Sequence, residues 1–192
     1  MTPKLRVPPP SDRSKLAIIA VDPGPGCGIA VYHPYPAVPG HNFDTQTLNL
    51  ESDGHGWLYK HLSETIHDLK FFLKDNGPDQ EVSATAGVVL ICEKFEYRKD
   101  DARERERINF MAAEYVGVCK LLAQEYERRL LLAQDIVMQG ASEAKGFWTN
   151  FKLAQLGLHG GSRHEMDALR HLLKFMTFNL HQQWLLKMLK EA

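Results

Sequence analysis

The apolar positions fall into two kinds of run, and their order predicts an α/β fold. Leu16-Ala17-Ile18-Ile19-Ala20-Val21 is six apolar residues long, too short for a membrane span and too uniform for a half-exposed strand, so it reads as a central strand buried on both faces. Asp22 ends it. Pro23-Gly24-Pro25-Gly26 then breaks the chain, and Cys27 to Tyr32 follows closely enough to pair antiparallel with the first run as a hairpin. Asn42 to Leu50 alternates weakly and reads as a third strand nearer an edge. Gly54 and Gly56 break that strand. Trp57, Leu58, Leu62, Ile66, Leu69, Phe72 and Leu73 recur at spacings of three and four, the apolar face of a helix that stops at Asn76-Gly77-Pro78.

Ala86 to Cys92 is a second strand-like run of the fully buried kind, and it too ends in an acid, Glu93. Helical spacing returns from Ala102 to Arg128 through Ile108, Met111, Tyr115, Cys119 and Leu122, a helix of about seven turns. Leu130 to Met138 supplies a fifth strand, and Gln139 to Ser142 a small-residue loop. A short helical piece spans Phe147 to Leu156, a glycine-rich loop Gly157 to Arg163, and a final helix His164 to Lys190. The order is strand, strand, strand, helix, strand, helix, strand, helix, without internal repeats. Residues 1–14 hold four prolines and no periodicity, which predicts a flexible arm before one domain over 15–192.

Composition narrows the function classes only a little. The 192 residues carry 23 basic and 24 acidic side chains, a formal net charge of −1, so no global attraction draws the chain to polyanions and any nucleic-acid contact must be local. Cys27, Cys92 and Cys119 are far apart in apolar segments and read as core residues of a reducing compartment. The nine histidines show no zinc-site spacing. Met1 to Pro10 lacks the apolar core of a secretory signal, and no run approaches the roughly 20 residues a bilayer requires. These features predict a cytoplasmic protein with no membrane partner.

Candidate chemistry begins with the two strand-ending acids. If the buried strands are parallel neighbours, Asp22 and Glu93 stand side by side at the sheet edge where ligands bind in open α/β folds. The plainer alternative for Asp22 is a turn aspartate bonded to its own backbone. At the start of the last helix, His164 and Asp167 share a face while Glu165 points elsewhere. Gathering such acids without a cation costs several kcal/mol, and oxygen donors with one histidine suit Mg²⁺ or Mn²⁺.

Four motifs in order resemble the RuvC family of Holliday-junction resolvases, within the RNase H-like nucleases, and in particular the RuvC-like proteins of phages. They are Ile18 to Gly24, Val89 to Glu93, Gly140 to Lys145 and Arg163 to Leu169, and with the element order the resemblance covers roughly residues 16 to 178. It implies an RNase H-like fold with a five-stranded mixed sheet, the first three strands antiparallel and the fourth and fifth parallel, flanked by helices. It further implies Asp22, Glu93 and Asp167 as acidic metal ligands, with His164 where most members carry aspartate, and Lys145 as the lysine that approaches the scissile phosphate. Two Mg²⁺ or Mn²⁺ ions per site, branched DNA with four-way junctions as substrate, and a homodimer built on the Ala102 to Arg128 helix complete what the resemblance implies. A solvated loop lysine is the alternative for Lys145.

Resolvases of the kind this chain resembles carry, after the catalytic glutamate, an aromatic that enters the junction centre; the resemblance offers Phe95 or Tyr97 for that role, one register off, with plain packing as the alternative. Arg98, Lys99 and Arg103 belong to a charged run of five basic and four acidic residues that reads as a solvated helix face with room for phosphate contacts. Lys152, Arg163, Arg170 and Lys174 extend that surface. Phe147 and Trp148 suit core packing better than base stacking, and His171, two turns past His164, reads as an ordinary surface or core histidine. Competing classes are nucleases for flaps or forks, a catalytically silent DNA-binding domain on the same fold, and an ATPase. Asp22-Pro23-Gly24-Pro25-Gly26 resembles the phosphate hairpin of sugar kinases and actin-like proteins, but those carry two copies of the fold and this chain has room for one.

Overall fold

The computed structural model describes residues 16–24, 26–34, 42–75, 87–94, 102–127, 136–180 and 183–191, excepting the side chains at 51, 53, 70–75, 87, 102–110, 127, 183, 184, 188 and 191. Five strands form one sheet: β1 (Leu16–Asp22), β2 (Gly26–Tyr32), β3 (Phe43–Asn49), β4 (Gly87–Glu93) and β5 (Val137–Gln139). Their spatial order is β3-β2-β1-β4-β5. β1 pairs antiparallel with β2 and β2 with β3, while β1, β4 and β5 run parallel. This is the α/β architecture with the strand order of the RNase H-like fold.

The uniform apolar runs predict strands covered on both faces, and the packing shows why. Ala17, Ile19 and Val21 of β1 face one core, shared with α1 (Leu50–Asp75) and α2 (Ala102–Glu127) through Leu58, Leu62, Tyr115 and Leu122. Ile18 and Ala20 face the other, built with Leu169, Leu172 and Leu173 of α5 (Arg163–Phe178) and with Trp148 and Leu153. Side-chain alternation thus divides one strand between two cores. β3, mostly part-exposed, lies at an edge as its weak alternation indicates.

Several boundaries differ from the sequence reading for local reasons. Helical backbone begins at Leu50, ahead of Trp57, but the expected break falls where it was read: Gly54, at φ 70° and ψ −180°, is non-helical and separates a short first turn from the main helix, a conformation in which a Cβ would be strained. Thr149 caps a helix by accepting from the Lys152 N–H, so the piece expected near 147–156 is α4 (Asn150–Gln155), and a separate helix, α3 (Ala141–Phe147), precedes it. The expected loop at Ala141 and Ser142 is the first turn of α3. β5 is short and ends at Gln139, one residue later than expected; 130–135 lie outside the described residues. The last helix closes at Phe178, where the Leu180 N–H reaches back five residues to the Phe175 carbonyl at 3.1 Å, and α6 (Gln183–Glu191) follows as a separate element. The proposed arm, 1–14, lies outside the described residues.

Candidate active site at the ends of the parallel strands

β1 and β4 pair up to Val21 opposite Cys92, so the next residues, Asp22 and Glu93, emerge side by side. Asp22 is buried, and its Oδ2 lies 2.7 Å from His164 Nδ1, a partner from a distant helix. Burial pushes the Asp22 carboxyl up, and the charges of Glu93 and Asp167 add to that push, against the opposing bond to His164. Burial acts upward on Glu93 as well. There it is outweighed by the hydrogen bond and charge of His171, the charge of Lys145 and a hydrogen bond with Asp22, so the Glu93 carboxyl lies below its usual range. Two adjacent carboxyls are thereby driven apart, with the proton favoured on Asp22 and the charge on Glu93.

α5 brings the remaining groups, and the hairpin glycines let it approach. A Cβ on Gly28 would meet the His164 carbonyl oxygen at 2.0 Å, and one on Gly26 would meet its ring at 3.0 Å. Only a bare backbone admits the helix start here. Ser162 caps the helix by accepting from the Glu165 N–H at 3.1 Å, as the Ser-x-x-Glu spacing allows. The Glu165 carboxylate does turn away from His164, and accepts from Thr47 of β3 at 2.7 Å. The bond to Asp22 raises the His164 imidazole, against partial burial.

Asp167 is buried and has a different company. Lys145 Nζ stands 2.8 Å from its Oδ2, and Arg170 donates to its Oδ1. Arg170 also donates through Nε to the Trp148 carbonyl at 2.9 Å and to Asn150. Buried and fully engaged, Arg170 is therefore not part of a solvent-facing phosphate surface. The loop lysine of the sequence reading is a helical residue of α3, paired with an acid. Beside these groups opens a cleft of about 560 Å³ lined by Lys145, Thr149, Asn150, Arg163, Asp167 and Arg170. Arg163, 85% exposed, is the most solvent-accessible of these cations, with its Nε 4.0 Å from Asp167 Oδ2.

The structure thus brings Asp22, Glu93, His164, Asp167 and Lys145 together. Lys152 instead donates to the Phe147 carbonyl at 2.8 Å and covers the Phe147 ring, and Lys174 pairs with Glu143. Trp148 is a core residue, and Phe147 packs edge-on against it and Phe178. Phe95, Tyr97, Arg98 and Lys99 lie outside the described residues, as does the side chain of Arg103. His171 is a core histidine, one of the two places expected for it, but its bond to Glu93 was not foreseen, and Gln139, read as a loop residue, is its other polar partner. The available signals were the spacing of seven from His164, which keeps His171 on the same helix face, and the position of Gln139 at the end of a strand run.

Neither a scan against models of protein families nor a search of curated proteins found a match. The site must be judged on its own chemistry. Asp22 and Glu93 suit a divalent cation, being adjacent oxygen donors where burial and neighbouring negative charge already disfavour ionised Asp22. Asp167 differs, since Lys145 and Arg170 neutralise it. Accordingly, among the described residues no three His, Cys, Asp or Glu side chains are disposed to hold an ion as they stand. Also among the described residues, no helix is long and apolar enough to cross a membrane.

Proposed function

We propose that the chain is a metal-dependent, structure-selective endodeoxyribonuclease that hydrolyses phosphodiesters in branched DNA, with four-way junctions as its substrate. The observation that carries this reading is the pairing of Asp22 with Glu93 at the carboxyl ends of neighbouring parallel strands of an RNase H-like sheet, with Asp167 and Lys145 alongside. Asp22 and Glu93 would hold Mg²⁺ or Mn²⁺, two ions in the full site, and Asp167 and His164 would join them on exchanging their present partners. A bound divalent cation supplies positive charge for the phosphate oxygens and eases ionisation of water at neutral pH.

The chain's own residues would do the rest. Lys145, released from Asp167 by an incoming anion, offsets charge that develops on the phosphate. Arg163 meets the strand electrostatically at the cleft mouth. His164 holds the Asp22 carboxyl in place until the site fills. Two symmetric cuts in a two-fold junction call for a two-fold dimer, with α2 as its interface.

Cleavage of an end-labelled four-way junction in Mg²⁺ or Mn²⁺ tests the reading, beside an Asp22→Asn variant. Wild type should cut in metal and not in chelator, and Asp22→Asn should lose at least about 100-fold, the scale of removing a group that acts in the transition state. Equal activity of the two proteins removes the mechanism. ATP hydrolysis without DNA would instead favour the kinase-like class.

A further inference from the structure

His171 is wholly buried on α5, where Ala168, Leu169, Leu172 and Leu173 pack into the core and the neighbouring Arg170 is engaged by Asp167, Asn150 and the Trp148 carbonyl. An apolar residue there would pack at lower cost, because a buried imidazole is tolerated only when its nitrogens are paired. Both are. Nε2 stands 2.9 Å from Glu93 Oε2, and Nδ1 stands 3.2 Å from the side-chain amide of Gln139. Gln139 is itself the residue opposite Glu93 in the β4–β5 register, and its carbonyl accepts from the Lys94 N–H at 2.7 Å. One residue of β5 therefore fixes the end of β4 through its backbone and the ring of His171 through its side chain.

The Gln139 amide has two ways round. With its oxygen toward Nδ1, its nitrogen is buried without a partner; turned over, the nitrogen donates to Nδ1. Turned over, the amide leaves a neutral ring whose proton is on Nε2, facing Glu93; with the amide oxygen toward Nδ1, the ring bonds Gln139 and the Glu93 carboxylate together only with a proton on each nitrogen, so Nε2 donates to Glu93 either way. We propose that His171 is a positioning residue for the candidate active site: Gln139 sets its ring, and its Nε2–H fixes the carboxylate of Glu93 for the cation and the DNA. The role is that of an outer-shell histidine, which normally orients a ligand without touching metal. Its metal-dependent arm rests on the nuclease reading above.

Three full-length proteins test it, wild type, His171→Gln and His171→Leu, each checked by thermal melting. Glutamine places an amide nitrogen near the position of Nε2; leucine places none. Mn²⁺ binding followed by calorimetry should weaken about 10- to 100-fold in His171→Leu, the range for outer-shell partners, and recover most of that loss in His171→Gln. Junction cleavage should fall with it in kcat while KM for the junction holds. In metal-free wild type, long-range ¹H–¹⁵N NMR should place a proton on His171 Nε2.

A folded His171→Leu protein with wild-type Mn²⁺ affinity overturns the proposal, as does glutamine no better than leucine, or an Nε2 without a proton. If wild type neither binds Mn²⁺ nor cuts DNA, the nuclease reading fails and takes the metal-dependent arm with it. The NMR result then still decides whether His171 holds Glu93.

Discussion

His164 meets Asp22 through Nδ1, and that bond holds the imidazole above its usual 6.5, with Asp22 and Asp167 as facing anions and Arg163 as the opposing cation. A group whose folded value is raised contributes stability that is complete below its unfolded value and is lost as pH climbs through the folded one. Asp22, raised above 3.8 mainly by burial, works in the same direction, whereas Glu93, lowered from 4.5, contributes above that value and loses its contribution in acid. Metal-free protein should therefore melt at a falling temperature as pH rises past 6.5, and His164→Asn should lack that limb. A melting temperature that rises across the same interval would contradict the assignment. At this scale the acids were legible because each closes an apolar run. Their partners were not, since 142 residues separate Asp22 from His164 and 78 separate Glu93 from His171, and only the placement of α5 across the sheet decides which imidazole meets which acid.

The helix α5 and the β1–β2 hairpin make one device. His164, Asp167 and His171 recur at three and seven residues along one helix face, and the bare backbone at Gly28 sets how closely that face approaches Asp22. Gly28→Ala forces a methyl group against the carbonyl of His164, so it should cost about 1–3 kcal/mol, as overpacking does. A lower urea midpoint at unchanged slope, with junction cleavage falling alongside, is the expected result. Wild-type stability and activity would show that the helix start has room to move. In sequence Gly24 and Gly26 read as strand breakers and Gly28 as an ordinary residue of the second strand; the close approach at Gly28 is invisible without the partner helix. The helix ends were harder still, since the Thr149 cap and the Leu180 N–H bond back to the Phe175 carbonyl are single local bonds that periodicity does not report.

Across the molecule, sheet order follows from pattern more directly than the site does. Two runs buried on both faces had to be central, and the alternating run had to be peripheral; the order β3-β2-β1-β4-β5 places them so. The two cores then leave the carboxyl ends of β1 and β4 as the place where polar groups gather, with Cys27, Cys92 and Cys119 buried and free as filling. What pattern could not supply is the present pairing of Asp167 with Lys145 and Arg170, which sets that acid apart from Asp22 and Glu93. Crystals grown with Mn²⁺ and measured at its absorption edge test the central claim most directly. The account predicts an anomalous peak bounded by the carboxylates of Asp22 and Glu93, and lost in Asp22→Asn. Crystals in which Asp22 still bonds His164, with no peak beside Glu93 at saturating Mn²⁺, would contradict it.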